Sequence, residues 1–442
     1  MSEIAAWYNV LPDLDFDLPR DLPSPRAASR DGITIQVPAS LIRQELDRRS
    51  LIPIPPEVLA RYRQWRPTPL RRAREFERAL GTGCRIYYKF EGMNISGSHK
   101  LNTAVAQAHY YSRAGAGMLT VGTGAGQWGT AVAAACQMFG LQCRVYMVRS
   151  SYEAKPYRRT IMQALGATVI ASPSDRTHSG RQALHADPAT GGSLSIALAE
   201  ALEDTAADRH FCTGSGETYS LLHQTVAGLE AQEQLAELDD PPDIVVGSLG
   251  GGSNFGGLAL PFIGDMQRGG RPVRCVSVEP AACPKLSRGH YAYDYTDASG
   301  LAPLQKMYTL GHTFSPPAIH AGGLRYHATA KLISALYHEG LIEAAAYSQR
   351  EVFASGLTFA RTEGILPAPE SAHAVHGAAV QALAADRGGQ SRSILVGVSG
   401  HGMFDLAAYQ SYLDGTMTDV EVTAAEIARS LARLPSQPAP VG

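Results

Sequence analysis

The chain has 442 residues, more than one core usually holds, and 45% are apolar, so two subdomains with a large interior are expected. Thirty-nine basic against 41 acidic residues leave a net charge of −2, with neither sign gathered into a run, which argues against a nucleic-acid or membrane partner and for small molecules. Six scattered cysteines without a C-x-x-C pair suggest neither a zinc site nor a disulfide framework, and no uncharged apolar stretch approaches spanning length; a cytoplasmic enzyme is expected.

Residues 1–69 are rich in Pro and Arg, with only short helical patterns such as Leu41 to Arg49, and read as an arm wrapping a body. Beyond it, apolar runs at Arg85–Lys89, Met118–Val121, Cys143–Met147, Thr168–Ala171, Ile244–Ser248, Arg274–Val278 and Ser393–Val398 alternate with helical patterns. Such alternation predicts an α/β fold with mostly parallel sheets covered by helices. A polar stretch near Asp204 to Cys212 places a subdomain change there, giving residues 70–210 as an N-terminal α/β subdomain that includes a mobile substrate-closing segment and part of the large subdomain, and 211–442 as a C-terminal one with the phosphate-binding loop. Ser436 to Gly442 reads as a frayed tail.

Three segments carry chemistry. Lys100 stands where a helix begins, before Leu101 and Asn102, and an amine among unpaired N–H groups is a weaker cation and a better nucleophile, suited to a Schiff base. Next, Thr123-Gly124-Ala125-Gly126-Gln127-Trp128 joins a strand to a helix and offers a nest of N–H donors for a carboxylate. Close backbone packing explains such glycines equally well. Finally, Gly250-Gly251-Gly252-Ser253-Asn254 follows the strand Ile244–Ser248 and opens a helix, an arrangement that cradles a phosphate, though a glycine run alone also fits a flexible turn. Neither loop matches the nucleotide-hydrolysing P-loop. An imine-forming lysine, a phosphate nest and a carboxylate nest together describe a site for pyridoxal phosphate and an amino acid.

The chain resembles the β chain of tryptophan synthase, in its stand-alone second type, from Trp7-Tyr8-Asn9 to Tyr409. The segments carrying the likeness include Trp65-Arg66-Pro67-Thr68-Pro69-Leu70, Gly97-Ser98-His99-Lys100-Leu101-Asn102, Lys155-Pro156-Tyr157-Arg158-Arg159, Glu363 to Ser371 and Ser399-Gly400-His401-Gly402. The resemblance implies the fold-type II architecture of pyridoxal enzymes, two three-layer α/β subdomains with the cofactor in the cleft between them. It makes Lys100 the imine lysine and Gly250 to Asn254 the phosphate loop. It sets His99 against the phosphate, Asn102 at the phenolic oxygen, Glu370 beside the pyridine ring and Ser399 at the ring nitrogen. It also implies a homodimer working without an α chain, and some members use a monovalent cation, for which no ligand set is legible here.

Three positions depart from the family pattern. Members carry a glutamate directly before the Thr-Gly-Ala-Gly-Gln loop, serving as acid and base; here that residue is Gly122, whose small size is expected to enlarge the pocket as well. After Thr213-Gly214-Ser215, where relatives have an apolar residue and Leu-Asn-His, this chain has Gly216-Glu217-Thr218-Tyr219. Glu217 is therefore a candidate for the lost acid–base role, while an acid at a helix start is also favoured simply by the helix dipole. Past His327, Ala328-Thr329-Ala330-Lys331 replaces the usual Gly-Met-Ala-Pro, with an expected effect on closure of the cleft. The implied reaction is β-replacement, in which an aminoacrylate made from L-serine or an activated serine- or threonine-like substrate meets indole or another small nucleophile. The alternatives are a serine or threonine dehydratase and a non-catalytic cofactor-binding paralogue.

Overall fold

A computed structural model describes residues 3–25, 36–214 and 216–435; the expected tail at 436–442 lies outside them. All seven anticipated strands form, and they divide between two sheets. The smaller has the order Thr168–Ser172, Gln142–Val148, Met118–Thr123, Arg209–Phe211, all parallel. The larger has the order Glu343–Tyr347, Arg274–Pro280, Ile244–Ser248, Ser393–Val398, Arg85–Phe90, Leu70–Arg72, parallel except at the last edge. The inner strands Ile244–Ser248 and Ser393–Val398 are buried along their whole length, as expected where helices cover both faces.

The share of residues 70–210 in the large subdomain is its strand Arg85–Phe90 with the edge strand Leu70–Arg72. Strand Arg85–Phe90 pairs in register with Ser393–Val398, so the large subdomain is assembled from both ends of the chain and the small one is an insertion between them. The physical reason is burial: Ile86 and Tyr88 are almost fully enclosed with Val246, Val276 and Val396 in one core cluster that no contiguous half of the chain supplies. Helix Lys100–Arg113 leaves the large sheet and packs on helix Gln127–Phe139 of the small one, which places its first turn at the boundary between the two.

The arm docks on this body. Strand Ala6–Tyr8 pairs with Leu51–Pro53, Trp7 is fully buried, and Tyr8 donates its N–H to Thr225 Oγ1 at 2.9 Å. The arm's end is fixed by an ionic cluster with little access to water. Arg66 contacts Glu91 at 2.9 Å and Glu230 at 2.8 Å, while Lys89 reaches Glu230 at 2.7 Å. Burial alone would raise the Glu91 carboxyl, but the Arg66 guanidinium outweighs it and holds the group down to about 2.

Breaking such a buried pair leaves an uncompensated charge. Glu91→Gln is therefore expected to lower the unfolding free energy by about 3–5 kcal/mol at neutral pH. In the parent protein this contribution is present above the ordinary glutamate range and is lost as pH falls toward about 2. Denaturant titrations of the two proteins at several pH values check both statements.

Candidate active site

Lys100 is the first residue of helix Lys100–Arg113 and borders a cavity of about 1010 Å3. Burial brings its ammonium down to about 8, with the charge of Glu370 working in the opposite direction. Among the described residues Glu370 forms no ion pair with that ammonium and is engaged by the neighbouring loops. Its Oε2 accepts from Gln127 Nε2 at 2.9 Å and its Oε1 accepts from the Gly323 N–H at 2.7 Å. An amine left without a close ion pair in a buried cleft is a competent imine-forming nucleophile.

The loop after strand Met118–Thr123 lines the same cavity through Thr123, Gly124, Ala125, Gln127 and Trp128. Gly126 precedes helix Gln127–Phe139 with φ of 95°, a conformation that a β-carbon resists, and as N-cap it brings no side chain. Thr123 Oγ1 accepts the Gly129 N–H at 3.3 Å, which leaves the N–H groups of Gln127 and Trp128 for a carboxylate. Trp128 is held from behind, its Nε1 donating to the Cys212 carbonyl at 3.4 Å.

Gly250, Gly251 and Gly252 lead into helix Ser253–Gln267, which is also without a side-chain cap. A β-carbon on Gly250 would lie 2.4 Å from the Gly323 carbonyl, so glycine is required for that approach. His99 Nε2 lies 3.4 Å from Ser253 Oγ, while His99 Nδ1 and Ser98 Oγ are buried without partners among the described residues. Uncapped N–H groups beside unpaired buried donors fit a phosphate, and with Lys100 alongside they fit pyridoxal phosphate. Burial and the neighbouring Lys100 push the His99 imidazole down to about 3, so it is neutral.

Ser399 reaches this corner because its carbonyl accepts the His99 N–H at 2.8 Å, and its hydroxyl is 2.7 Å from Ser371 Oγ. Of the predicted cofactor residues only Lys100 and Gly251 line the large cavity; His99, Asn102, Gly250, Gly252, Ser253, Asn254, Glu370 and Ser399 lie behind its wall, and two of them have their amides committed elsewhere. Asn102 donates both amide hydrogens elsewhere, to Glu91 Oε2 at 2.9 Å and Gln224 Oε1 at 3.0 Å. Asn254 turns back onto Ser248, donating to its carbonyl at 3.3 Å and its Oγ at 3.1 Å.

Gly122 also lines the cavity, but the expected enlargement does not follow. A β-carbon there would meet the backbone of Ala197 and Leu198 at 2.7 Å, because helix Leu194–Glu203, capped by Ser193, lies directly on the strand end. The glycine admits a helix, not a larger substrate.

Glu217 stands at the start of helix Thr218–Glu237 yet makes no capping hydrogen bond. That task belongs to Glu45 of the arm, whose carboxylate accepts the N–H groups of Thr218 at 3.2 Å and Tyr219 at 3.0 Å. The carboxyl of Glu217 faces the cavity instead, and burial together with Glu45 raises it to about 8. Lys331, Asp21 and Gln305 line the same wall. These three and Glu45 escaped sequence reasoning; only Lys331 carried a signal, as a cation where the family pattern has proline.

The description "Pyridoxal-phosphate dependent enzyme" matches residues 62–400. Tryptophan synthase beta chain 2 of Methanosarcina acetivorans is 49% identical over 415 residues, covering 93% of this chain and 94% of that one. The protein of the same name from Aquifex aeolicus is 50% identical over 420 residues, covering 93% and 97%. This chain belongs to the tryptophan synthase β chain family of pyridoxal-phosphate-dependent enzymes. A fungal L-serine ammonia-lyase from Rhizomucor miehei shares the fold with a TM-score of 0.61 at 17% identity, over 79% of this chain and 98% of its own. Threonine deaminase isoform 2 from Solanum lycopersicum does so with 0.60 at 18%, over 94% and 97%. Fold-type II architecture and the cofactor assignment follow from membership.

Position 122 should reject a glutamate for steric reasons. Gly122→Glu is expected to destabilise the protein by about 1–3 kcal/mol through overpacking and to bring no gain in joining indole to serine. Thermal unfolding and a coupling assay check this; unchanged stability would show that helix Leu194–Glu203 yields easily.

Proposed function

We propose that this protein catalyses β-replacement on L-serine or an activated relative of it, with indole or another small nucleophile as acceptor, and that Glu217 performs the proton transfers. The observation carrying this reading is a single cavity bordered by Lys100, the Thr123–Trp128 loop and the cavity-facing Glu217. Pyridoxal phosphate, when bound, supplies an electron sink for bond breaking at the α- and β-carbons of an amino acid.

The chain's own residues supply the rest. The N–H groups around Gly124 to Gln127 hold the substrate carboxylate and so fix the α-carbon near Lys100. Lys100 Nζ, weakened as a base by burial, takes and returns the α-proton near neutral pH. The Ser399 hydroxyl, 2.7 Å from Ser371 Oγ, would offer the cofactor's ring nitrogen a neutral partner. Such a partner would not hold that nitrogen protonated, which would favour loss of the β-group over transamination. Glu217 hands a proton to the departing β-oxygen and collects one from the nucleophile. A cavity of about 1010 Å3 accommodates a second molecule beside the amino acid, which favours replacement over simple elimination.

The reading extends to location and assembly. All six cysteines are unpaired and buried, which suits the cytoplasm, and no described helix is long and apolar enough to cross a membrane. Exposed Met93, Ile95, Met403 and Leu406 flank the bridge between Ser98 and Gly400 and suit a contact between two copies of this chain.

Glu217→Gln is expected to cut turnover by about 10²–10⁴-fold while the bound cofactor keeps its absorbance. Turnover in the parent protein should fall as pH rises through about 8, where Glu217 loses its proton. Stopped-flow and steady-state rates across pH check both, and a fully active Gln variant would remove Glu217 from the mechanism.

A further inference from the structure

One wall of the cavity that Lys100 borders is built from distant parts of the chain. Asp21 comes from the arm, Glu45 from helix Ala39–Leu46, Glu217 from the start of helix Thr218–Glu237, Gln305 from strand Gln305–Thr309 and Lys331 from the start of helix Lys331–His338. Lys331 Nζ lies 3.1 Å from Asp21 Oδ1 and 3.2 Å from Glu45 Oε1. Gln305 Nε2 spans the gap, donating to Asp21 Oδ2 at 3.4 Å and to Glu217 Oε2 at 3.3 Å. Because Oε2 accepts from this amide, a proton held by Glu217 resides on Oε1.

Lys331 is out of place by local rules. A cation in the first turn of a helix is disfavoured by the dipole, so its location is explained by what it meets across the cavity. It meets two carboxylates, and among the described residues the third, Glu217, has no direct cationic partner.

We propose that Lys331 and Asp21 are positioning residues that set the proton on Glu217 from opposite sides, so that the N-terminal arm contributes a charge to the chemistry. This rests on the reading of Glu217 as the acid and base. The charged or titratable neighbours of Glu217 are Asp21 and Glu45, which oppose its ionisation, Lys331, which favours it, and the buried phenols of Tyr111, Tyr219 and Tyr326. Those phenols are themselves raised by burial and stay neutral in the range where Glu217 titrates. The arm's acid and the helix's cation therefore act on one proton with opposite signs.

Opposite signs make the test sharp, because damage to folding or docking moves both variants the same way. In the holoenzyme, Lys331→Met should move the alkaline limb of the rate profile upward by about one pH unit, and Asp21→Asn should move it downward. Lys331→Arg, which keeps the charge, should restore the parent profile. A second readout avoids activity altogether: the infrared carbonyl band of a protonated carboxylic acid, assigned by its loss in Glu217→Gln, should titrate with the same shifts. Limbs and band that stay fixed, or move together, in the Met and Asn variants overturn the role of Lys331 and Asp21. If instead Glu217→Gln keeps full turnover while the band still shifts as stated, the electrostatic inference stands and the catalytic reading of Glu217 falls.

Discussion

The site is organised around Glu370, which acts on Lys100 through its charge while its hydrogen bonds go to two other loops. A buried amine beside a glutamate would ordinarily collapse into an ion pair, and a paired ammonium is a poor nucleophile. Here both oxygens of Glu370 are occupied, one by the side-chain amide of the carboxylate-binding loop and the other by the N–H of Gly323. The same two bonds tie the small sheet's loop to the turn Gly322–Leu324, which presses on Ala125 and Gly250. The carboxylate that acts on the amine is thus also the tie between the two loops.

Much of this was legible in the residues because it is local. Apolar runs at Ile244–Ser248 and Ser393–Val398 mark buried parallel strands whatever lies around them, and glycines after a strand mark a helix start open to an anion. What escaped is what depends on distant partners. No local pattern tells that Arg85–Phe90 pairs with a strand more than three hundred residues later, or that both amide hydrogens of Asn102 are claimed by Glu91 and Gln224. Gly122 is the clearest instance. Loss of a carboxylate was visible there, but the helix backbone filling its place was not, since nothing within the sequence around 122 encodes the approach of Ala197 and Leu198.

A carboxylate at the end of a strand and one at a helix start are different chemical devices. At a strand end in a parallel sheet a carboxylate is fixed by the pleat and faces whatever the crevice holds. At a helix start, an acid is drawn toward the N–H groups of its own first turn, which would hold its carboxyl low and its side chain away from a substrate. Glu45 removes that pull by occupying those N–H groups, so Glu217 is released into the cavity. Capping in trans is the condition on which a helix-start glutamate can serve as a proton donor near neutral pH.

That condition makes the arm part of the active site. Residues before Leu70 supply the cap from Glu45, the pairing of Asp21 with Lys331, and Arg66 at the cluster that fixes Asn102 two residues from Lys100. Each is a charge that costs desolvation where it sits and is offset only by its partner on the body. Charges of this kind add little stability as pairs compared with apolar contacts of equal size, so a covering segment that needed only to seal the core would use more residues like Trp7. The concentration of ionic contacts where the arm crosses the cavity and the Lys100 turn follows from electrostatic work done at the site, and the arm's apolar anchors at Trp7 and Ile52 account for its attachment.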